Sequence, residues 1–167
     1  MSADRSALSD LEREKAAVFH SWSAQNSINP LMVKEARGVY VTDLDDNTYL
    51  DFSSQLVNVN IGHQHPAVVA AIKQQADLLC TVAPQHGNLA RTRAAELILD
   101  HSFEGAQKVF FTNGGTEAVE HAVRMARLHT GRHKVLSRYR SYHGATSTSI
   151  NLTGDPRRWA NDHGTAG

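Results

Sequence analysis

The sequence has little that would place the protein outside the cell or in a membrane. Cys80 is its one cysteine, so an internal disulfide is excluded and a reducing cytosol suits the chain. No apolar run approaches the ~20 residues that a membrane-spanning helix needs. Residues 1–14 are polar and charged, without the apolar core of a signal peptide. We therefore expect a cytoplasmic protein that does not insert into membranes.

An excess of charge and a metal-ligand cluster are also missing. The 17 basic residues balance the 17 acidic ones, so no strong field favours nucleic acid or an anionic membrane surface. The chain has 10 histidines, but His63, His65 and His86 are scattered and no His/Cys set has ligand spacing. We expect neither a nucleic-acid partner nor a metal site. Repeats and low-complexity stretches are absent as well.

What is present is the composition of a globular chain, with 41% hydrophobic and 20% charged residues. A length of 167 residues fits one domain of ordinary size. The first part predicts a short helix from Ala7 to His20 and a β-hairpin from Gly38 to Phe52. The polar run Asp45-Asp46-Asn47 supplies the turn of this hairpin.

The later part alternates between helices and strands. Pro66 is suited to a first helical turn, and 67–80 has helical periodicity. A second helix is predicted over 88–101 and a third over 117–130, where Gly131 ends it. Short apolar strands are predicted over 108–112 and 133–137. This order favours an α/β fold with parallel strands.

A glycine pair separates the strand predicted at 108–112 from the next helix, in the run Asn113-Gly114-Gly115-Thr116-Glu117. The free N–H groups and the positive end of the helix dipole favour a phosphate at such a point. Glycine lets the backbone approach the anion closely, and the Thr116 hydroxyl can donate a further hydrogen bond. The alternative interpretation is a strand–helix turn that needs only an N-cap.

The second motif is Tyr142-His143-Gly144, which follows the next predicted strand. Loops at the carboxyl ends of neighbouring parallel strands converge on one crevice. The Tyr142 ring can stack on a flat heteroaromatic ligand, and Gly144 permits a close approach. Ordinary surface packing is the alternative for this loop.

Together these motifs resemble the cofactor site of the class III (ω-) aminotransferases, which use pyridoxal 5'-phosphate. Two upstream runs also match the family: the early hairpin, and Asn60-Ile61-Gly62-His63-Gln64-His65-Pro66. The resemblance covers the chain from about Trp22 onward. It implies an incomplete fold-type I (aspartate aminotransferase-like) α/β transferase. Residues 1–62 would be the N-terminal segment of the small domain, and 63–167 the first part of the large cofactor-binding domain.

The resemblance also implies roles for individual residues. Gly115 and Thr116 would contact the cofactor phosphate, with Tyr142 stacked on the pyridine ring and His143 and Gly144 beside it. The family usually has serine where this chain has Gly114, so we expect weaker phosphate binding through the remaining backbone N–H. Glu117 and Glu120 lie on the phosphate helix, and helix stabilisation is the interpretation we favour for Glu117.

The substrate side is implied only in outline. Trp22, Leu56 and Val57 fall where the family places pocket walls, although core packing is the alternative for Leu56 and Val57. The run 53–58 resembles members that transfer the amino group of ω-amino acids, amines or taurine to a keto acid such as pyruvate. An aminomutase and an amino-acid decarboxylase on the same scaffold are the alternatives. Arg91 or Arg138 offers a carboxylate contact, unless each is simply a solvated surface cation.

The family's catalytic centre needs more than these residues offer. The lysine that forms the Schiff base with the cofactor has no counterpart in family context among Lys15, Lys34, Lys73, Lys108 and Lys134. We therefore expect the chain alone to be inactive, and a truncated, non-catalytic remnant is a further alternative. The full-length relative would be a homodimer. Alone, these residues would leave a sheet edge and an apolar face uncovered, so we expect aggregation or dependence on a partner.

Overall fold

The computed structural model describes residues 8–160, and these divide into two compact units between Ala83 and Pro84. Similar lengths of chain enter each unit, and each has its own secondary structure. The sequence had suggested a boundary after residue 62 instead, on the basis of family resemblance. The division after Ala83 reflects which residues pack together, whereas the division after residue 62 reflects the domains of the family. The boundaries 1–62 and 63–167 therefore stay a prediction.

The first unit begins with α1 (Asp10–Ala17), which is shorter than the helix predicted over 7–20. Ser9 and Glu12 form a capping box, because the Ser9 hydroxyl accepts from the Glu12 N–H and the Glu12 carboxylate accepts from the Ser9 N–H. A 3-10 turn follows at Gln25–Ser27. The part of the predicted helix at Ala7 lies outside the described residues.

A three-stranded antiparallel sheet forms the centre of this unit, in the order β1 (Val33–Arg37), β2 (Tyr40–Asp43) and β3 (Thr48–Leu50). The predicted hairpin is the β2–β3 pair, while β1 was not foreseen. Val41 is buried at the centre of β2. The Asp43 carboxylate is buried too and closes the turn.

Two helical segments complete the first unit. The one-turn segment α2 (Ser54–Val57) has a left-handed backbone, and α3 (Pro66–Leu78) is a regular helix that Pro66 begins as predicted. The two are separated by a close approach of Gly62 to Gly38, where the backbone of Gly38 pairs with that of His63.

The second unit consists of helices and turns. They are α4 (Leu89–Asp100), α5 (Gly115–Thr130), α6 (Ser147–Leu152) and a 3-10 turn at Pro156–Arg158. Asn88 caps α4 through a bond of 3.1 Å from the Arg91 N–H to its side chain. Gly131 ends α5 in the left-handed region at φ 68°. The apolar side chains of Val123 in α5 and Ile150 in α6 are buried.

Two predicted strands are not formed. Within 8–160, neither 108–112 nor 133–137 is a strand, and every strand pair is antiparallel rather than parallel. A strand exists only with a hydrogen-bonded neighbour, and these apolar segments have no ladder partner among the described residues. Conversely, α6 was not predicted, and the segment from Thr153 onward was expected to lack any element.

Candidate cofactor site

The start of α5 is open to a ligand. Gly114 is its N-cap with extended backbone at φ −169°, and no described side chain makes a capping hydrogen bond there. A Cβ placed on Gly114 or Gly115 would meet no atom within 4 Å. The first N–H groups of a helix have no partner within the helix, and the dipole makes this end positive. The geometry is therefore suited to an anion such as a phosphate.

Glu117, in the first turn of α5, folds back on the residue before the glycines. Its carboxylate accepts hydrogen bonds from the backbone N–H of Asn113 at 2.8 Å and from the Asn113 side-chain amide at 3.3 Å. These bonds fix the entry of the chain into the helix. They agree with the helix-stabilising interpretation of Glu117.

The two predicted motifs meet at Gly144. This glycine is buried at φ +132°, and a Cβ on it would lie 2.5 Å from the Thr116 hydroxyl and 2.5 Å from the Ser149 hydroxyl. The Thr116 side chain therefore packs directly on the backbone of the Tyr142-His143-Gly144 loop. Only a residue without Cβ allows this approach, so Gly144 has a steric as well as a conformational reason to be glycine.

A buried threonine fixes the same loop from the other side. The His143 N–H donates to the Thr153 hydroxyl at 3.0 Å. That hydroxyl lies 3.2 Å from the Gly144 carbonyl and 2.9 Å from the Ser149 carbonyl, and its one proton can donate to either. Thr153 and Ser149 have no exposed surface, so these bonds are shielded from water. The loop backbone is therefore well supported.

Tyr142 itself is half exposed and contacts a cation. The guanidinium carbon of Arg157 lies 4.6 Å from the centre of the Tyr142 ring, within cation–π range. Asp155 holds this guanidinium through bonds of 2.7 and 3.1 Å. The Arg157 hydrogen bonds in turn hold the pKa of the Asp155 carboxyl below its usual value. The sequence had not singled out Arg157 as a neighbour of Tyr142.

Glu120 ties α5 to α6. Its carboxylate accepts from the Thr146 hydroxyl and from the N–H groups of Thr148 and Ser149, both at 3.0 Å. Burial raises the pKa of Glu120, but these hydrogen bonds outweigh burial and leave the pKa below its ordinary value. Since these partners lie in a separate element that the sequence did not predict, no pattern in the sequence pointed to them.

The residues predicted for the substrate pocket belong to the first unit. Leu56 and Val57 in α2 are 90% and 77% exposed, so neither packs in a core formed by the described residues. Trp22 is 55% exposed and has φ 58°. All three present apolar surface outward.

The described residues contain no cluster of three or more potential metal ligands, and none of their helices is long and apolar enough to cross a membrane.

Solved structures with similar folds are transaminases. The taurine:2-oxoglutarate aminotransferase of Bifidobacterium kashiwanohense, in complex with PLP and glutamate, is 41% identical with a TM-score of 0.89, over 94% of this chain and 35% of that one. An S-selective transaminase from Arthrobacter sp. with alanine bound is 32% identical with a TM-score of 0.78, over 86% of this chain and 31% of that one. The predicted fold-type I architecture is thereby confirmed.

Curated relatives give the same class. The acetylornithine aminotransferases of Bacillus subtilis (strain 168) and Bacillus amyloliquefaciens are each 38% identical over 125 residues, or 75% of this chain. The chain spans 32% and 54% of their respective lengths. A profile of the family "Aminotransferase class-III" matches residues 22–165. The chain belongs to the class III aminotransferases, as its motifs had indicated.

Proposed function

We propose that the chain supplies the phosphate and ring contacts of a PLP-dependent transaminase. The contact between Thr116 and Gly144 carries this proposal, because it joins the glycine turn and the aromatic loop at the open start of α5. The family assignment and the PLP held by the Bifidobacterium relative support the cofactor. We further propose a cytoplasmic homodimer for the whole protein, with the active site at the subunit interface.

The residues present fit the cofactor. The N–H groups of Gly115 and Thr116 would hold the phosphate, because both lie in the first turn of α5 where no described side chain competes. The Tyr142 ring would lie against the pyridine, with His143 and Gly144 beside it. When bound, pyridoxal phosphate supplies an aldehyde that takes up amino groups and a ring that withdraws electrons.

For the reaction, we propose transfer of an amino group from an ω-amino acid or amine to a keto acid. The names of relatives support amino donors of this kind, since taurine and acetylornithine aminotransferases are among them. The name of the taurine:2-oxoglutarate aminotransferase adds 2-oxoglutarate to pyruvate as a candidate acceptor. Trp22, Leu56 and Val57 would form an apolar wall on the donor side.

The lysine that forms the Schiff base is proposed to lie outside these 167 residues. Among the lysines present, Lys34 is engaged with Asp46 on the sheet, where Nζ and the carboxylate lie 2.6 Å apart. Borohydride reduction of the chain with PLP, followed by peptide mapping, tests this. Specific labelling of one lysine of the 167-residue chain would refute it.

The function is tested on the protein produced from the complete gene. We expect transamination from taurine, β-alanine or simple amines to pyruvate or 2-oxoglutarate, measured as amino acid formed from the keto acid. Tyr142→Ala should weaken PLP binding, whereas Tyr139→Ala, an exposed tyrosine three positions earlier, should not. Release of CO₂ without an acceptor would indicate a decarboxylase instead. A shifted amino group in a single substrate would indicate an aminomutase, and no cofactor binding at all a non-catalytic remnant.

A further inference from the structure

The segment α2 has a backbone that L-amino acids avoid. Ser54, Gln55, Leu56 and Val57 all have positive φ, between 48° and 64°. The Cβ atom crowds the following carbonyl in this region, most severely for a β-branched residue such as Val57. Such a conformation persists only where surrounding contacts hold it, and it concentrates at functional positions.

Besides backbone hydrogen bonds within the turn, one carboxylate holds α2. Asp51 accepts hydrogen bonds from the Gln55 N–H at 3.3 Å and the Gln55 side-chain amide at 3.2 Å. The Ser53 hydroxyl donates to it at 3.2 Å. Oδ2 of Asp51, which also accepts from the Gln55 side-chain amide, lies 2.7 Å from Nε2 of His63. The side chains of Asp51 and His63 are 5% and 15% exposed, so water competes little for the bond between them, whereas the Ser53 and Gln55 bonds lie at the surface.

The backbone of His63 is bound to the turn between β1 and β2. Its backbone N–H donates to the Gly38 carbonyl at 2.7 Å, and the Gly38 N–H donates to the His63 carbonyl at 3.0 Å. The adjoining Gly62 packs so tightly that a Cβ on it would lie 3.1 Å from the Gly38 oxygen. The imidazole is therefore attached to a rigid backbone and not to a loose loop.

The proton of the Asp51–His63 bond belongs to the imidazole at neutral pH. The hydrogen bond from His63 lowers the pKa of Asp51 to about 2, so the carboxylate is ionised and can only accept. Nε2 must then carry hydrogen, and His63 acts as a donor. An amide side chain of similar reach can keep this role, whereas alanine cannot.

The apolar side chains of α2 are open to solvent. Leu56 and Val57 are exposed, and the bonds to Asp51 come from Gln55 and Ser53 instead. We propose that Asp51 and His63 are positioning residues that hold Ser54–Val57 left-handed and thereby set the apolar wall that Leu56 and Val57 offer to the amino donor. This inference rests on the proposed transaminase function. It assigns donor selection to a buried pair that does not touch the donor.

The test compares variants of the protein produced from the complete gene. Asp51→Asn and His63→Ala should alter the ratio of kcat/KM for a bulky and a small amine by at least about tenfold, the order expected when an apolar wall moves by a methylene or more. The change should lie mainly in KM, with PLP affinity unaltered. His63→Gln should keep most of the native ratio, and His86→Gln, an exposed histidine of the other unit, should leave it unchanged.

A second readout does not need activity. Hydrogen exchange of the amides of 54–58 should be faster in Asp51→Asn and His63→Ala, while exchange of α5 stays native. Unchanged exchange and an unchanged donor ratio in both variants would overturn the inference. If Asp51→Asn does not fold, the inference is tested by the donor ratio and the hydrogen exchange of His63→Ala compared with those of His63→Gln. An inactive wild type would overturn the proposed function, and local exchange alone would then show whether the pair holds α2.

Discussion

At the scale of single residues, Gly144 is the position where the Tyr142 loop packs against Thr116 of the glycine turn. Gly144→Ala places a methyl group against the Thr116 and Ser149 hydroxyls and requires positive φ from alanine. We expect unfolding free energy to fall by about 1–3 kcal/mol, as for overpacking of a tight site. PLP affinity should fall with it. Thermal melts and PLP titrations of the protein produced from the complete gene check this, with Gly87→Ala as the control, because a Cβ there meets no atom within 4 Å.

A substitution at Gly114 is expected to raise the stability of the protein, unlike the one at Gly144. Its extended backbone suits any residue, and a Cβ finds open space there. Gly114→Ser should stabilise the protein by a few tenths of a kcal/mol, roughly the difference between serine and glycine at an N-cap. It should also tighten PLP binding through the added hydroxyl. Gly114→Ala has the Cβ without the hydroxyl, and equal tightening by alanine would contradict the explanation.

At the scale of elements, Glu120 fastens α6 to α5. Glu120→Gln removes a charge that accepts three hydrogen bonds, and we expect a loss of about 1–3 kcal/mol. Because folding lowers the pKa of Glu120, its stabilisation is complete above the unfolded pKa and is lost as pH falls through the folded value. Urea unfolding of the protein produced from the complete gene, at neutral and acidic pH, measures this. The difference between wild type and Glu120→Gln should shrink in acid, whereas Glu96→Gln on α4 should match wild type throughout.

The helices of this fold could be predicted from the sequence better than its strands could. Pro66, Asn88 and Gly131 mark helix ends through local chemistry, so α3, α4 and α5 were predicted nearly to the residue. The strands expected at 108–112 and 133–137 depend on neighbours that a local pattern does not specify. The same is true of the Glu120 contacts, whose partners are distant in the chain. The glycine turn and the Tyr142 loop were predicted as motifs that converge on one site, but the contact of Thr116 with Gly144 was not predicted.

At the scale of the whole molecule, many large apolar side chains of the described residues are open to water, among them Phe19, Phe52, Phe103 and Leu136. Among residues 8–160, the buried hydrophobic side chains are only Val41, Val123 and Ile150. Two units with such small cores have little apolar burial to offset the loss of chain entropy.

We therefore expect the 167 residues, produced alone, to aggregate or to bind a hydrophobic dye strongly, because apolar patches of this extent drive association. Light scattering coupled to size exclusion, with dye fluorescence, measures both properties. The protein from the complete gene is the matched comparison and should show neither. A sharp cooperative melt of a monomeric 167-residue chain would contradict the expectation.

The Asp43 turn has a consequence for how synthesis proceeds on the ribosome. Its buried carboxylate accepts from the N–H groups of Asp45 and Asn47 and from the Tyr49 hydroxyl, so the contacts that close the β2–β3 hairpin span only a few residues. Hairpins of this kind close in about 1–10 μs, whereas translation adds roughly 5–20 residues per second. The nascent polypeptide thus has time to sample this turn repeatedly before the cofactor motifs leave the exit tunnel.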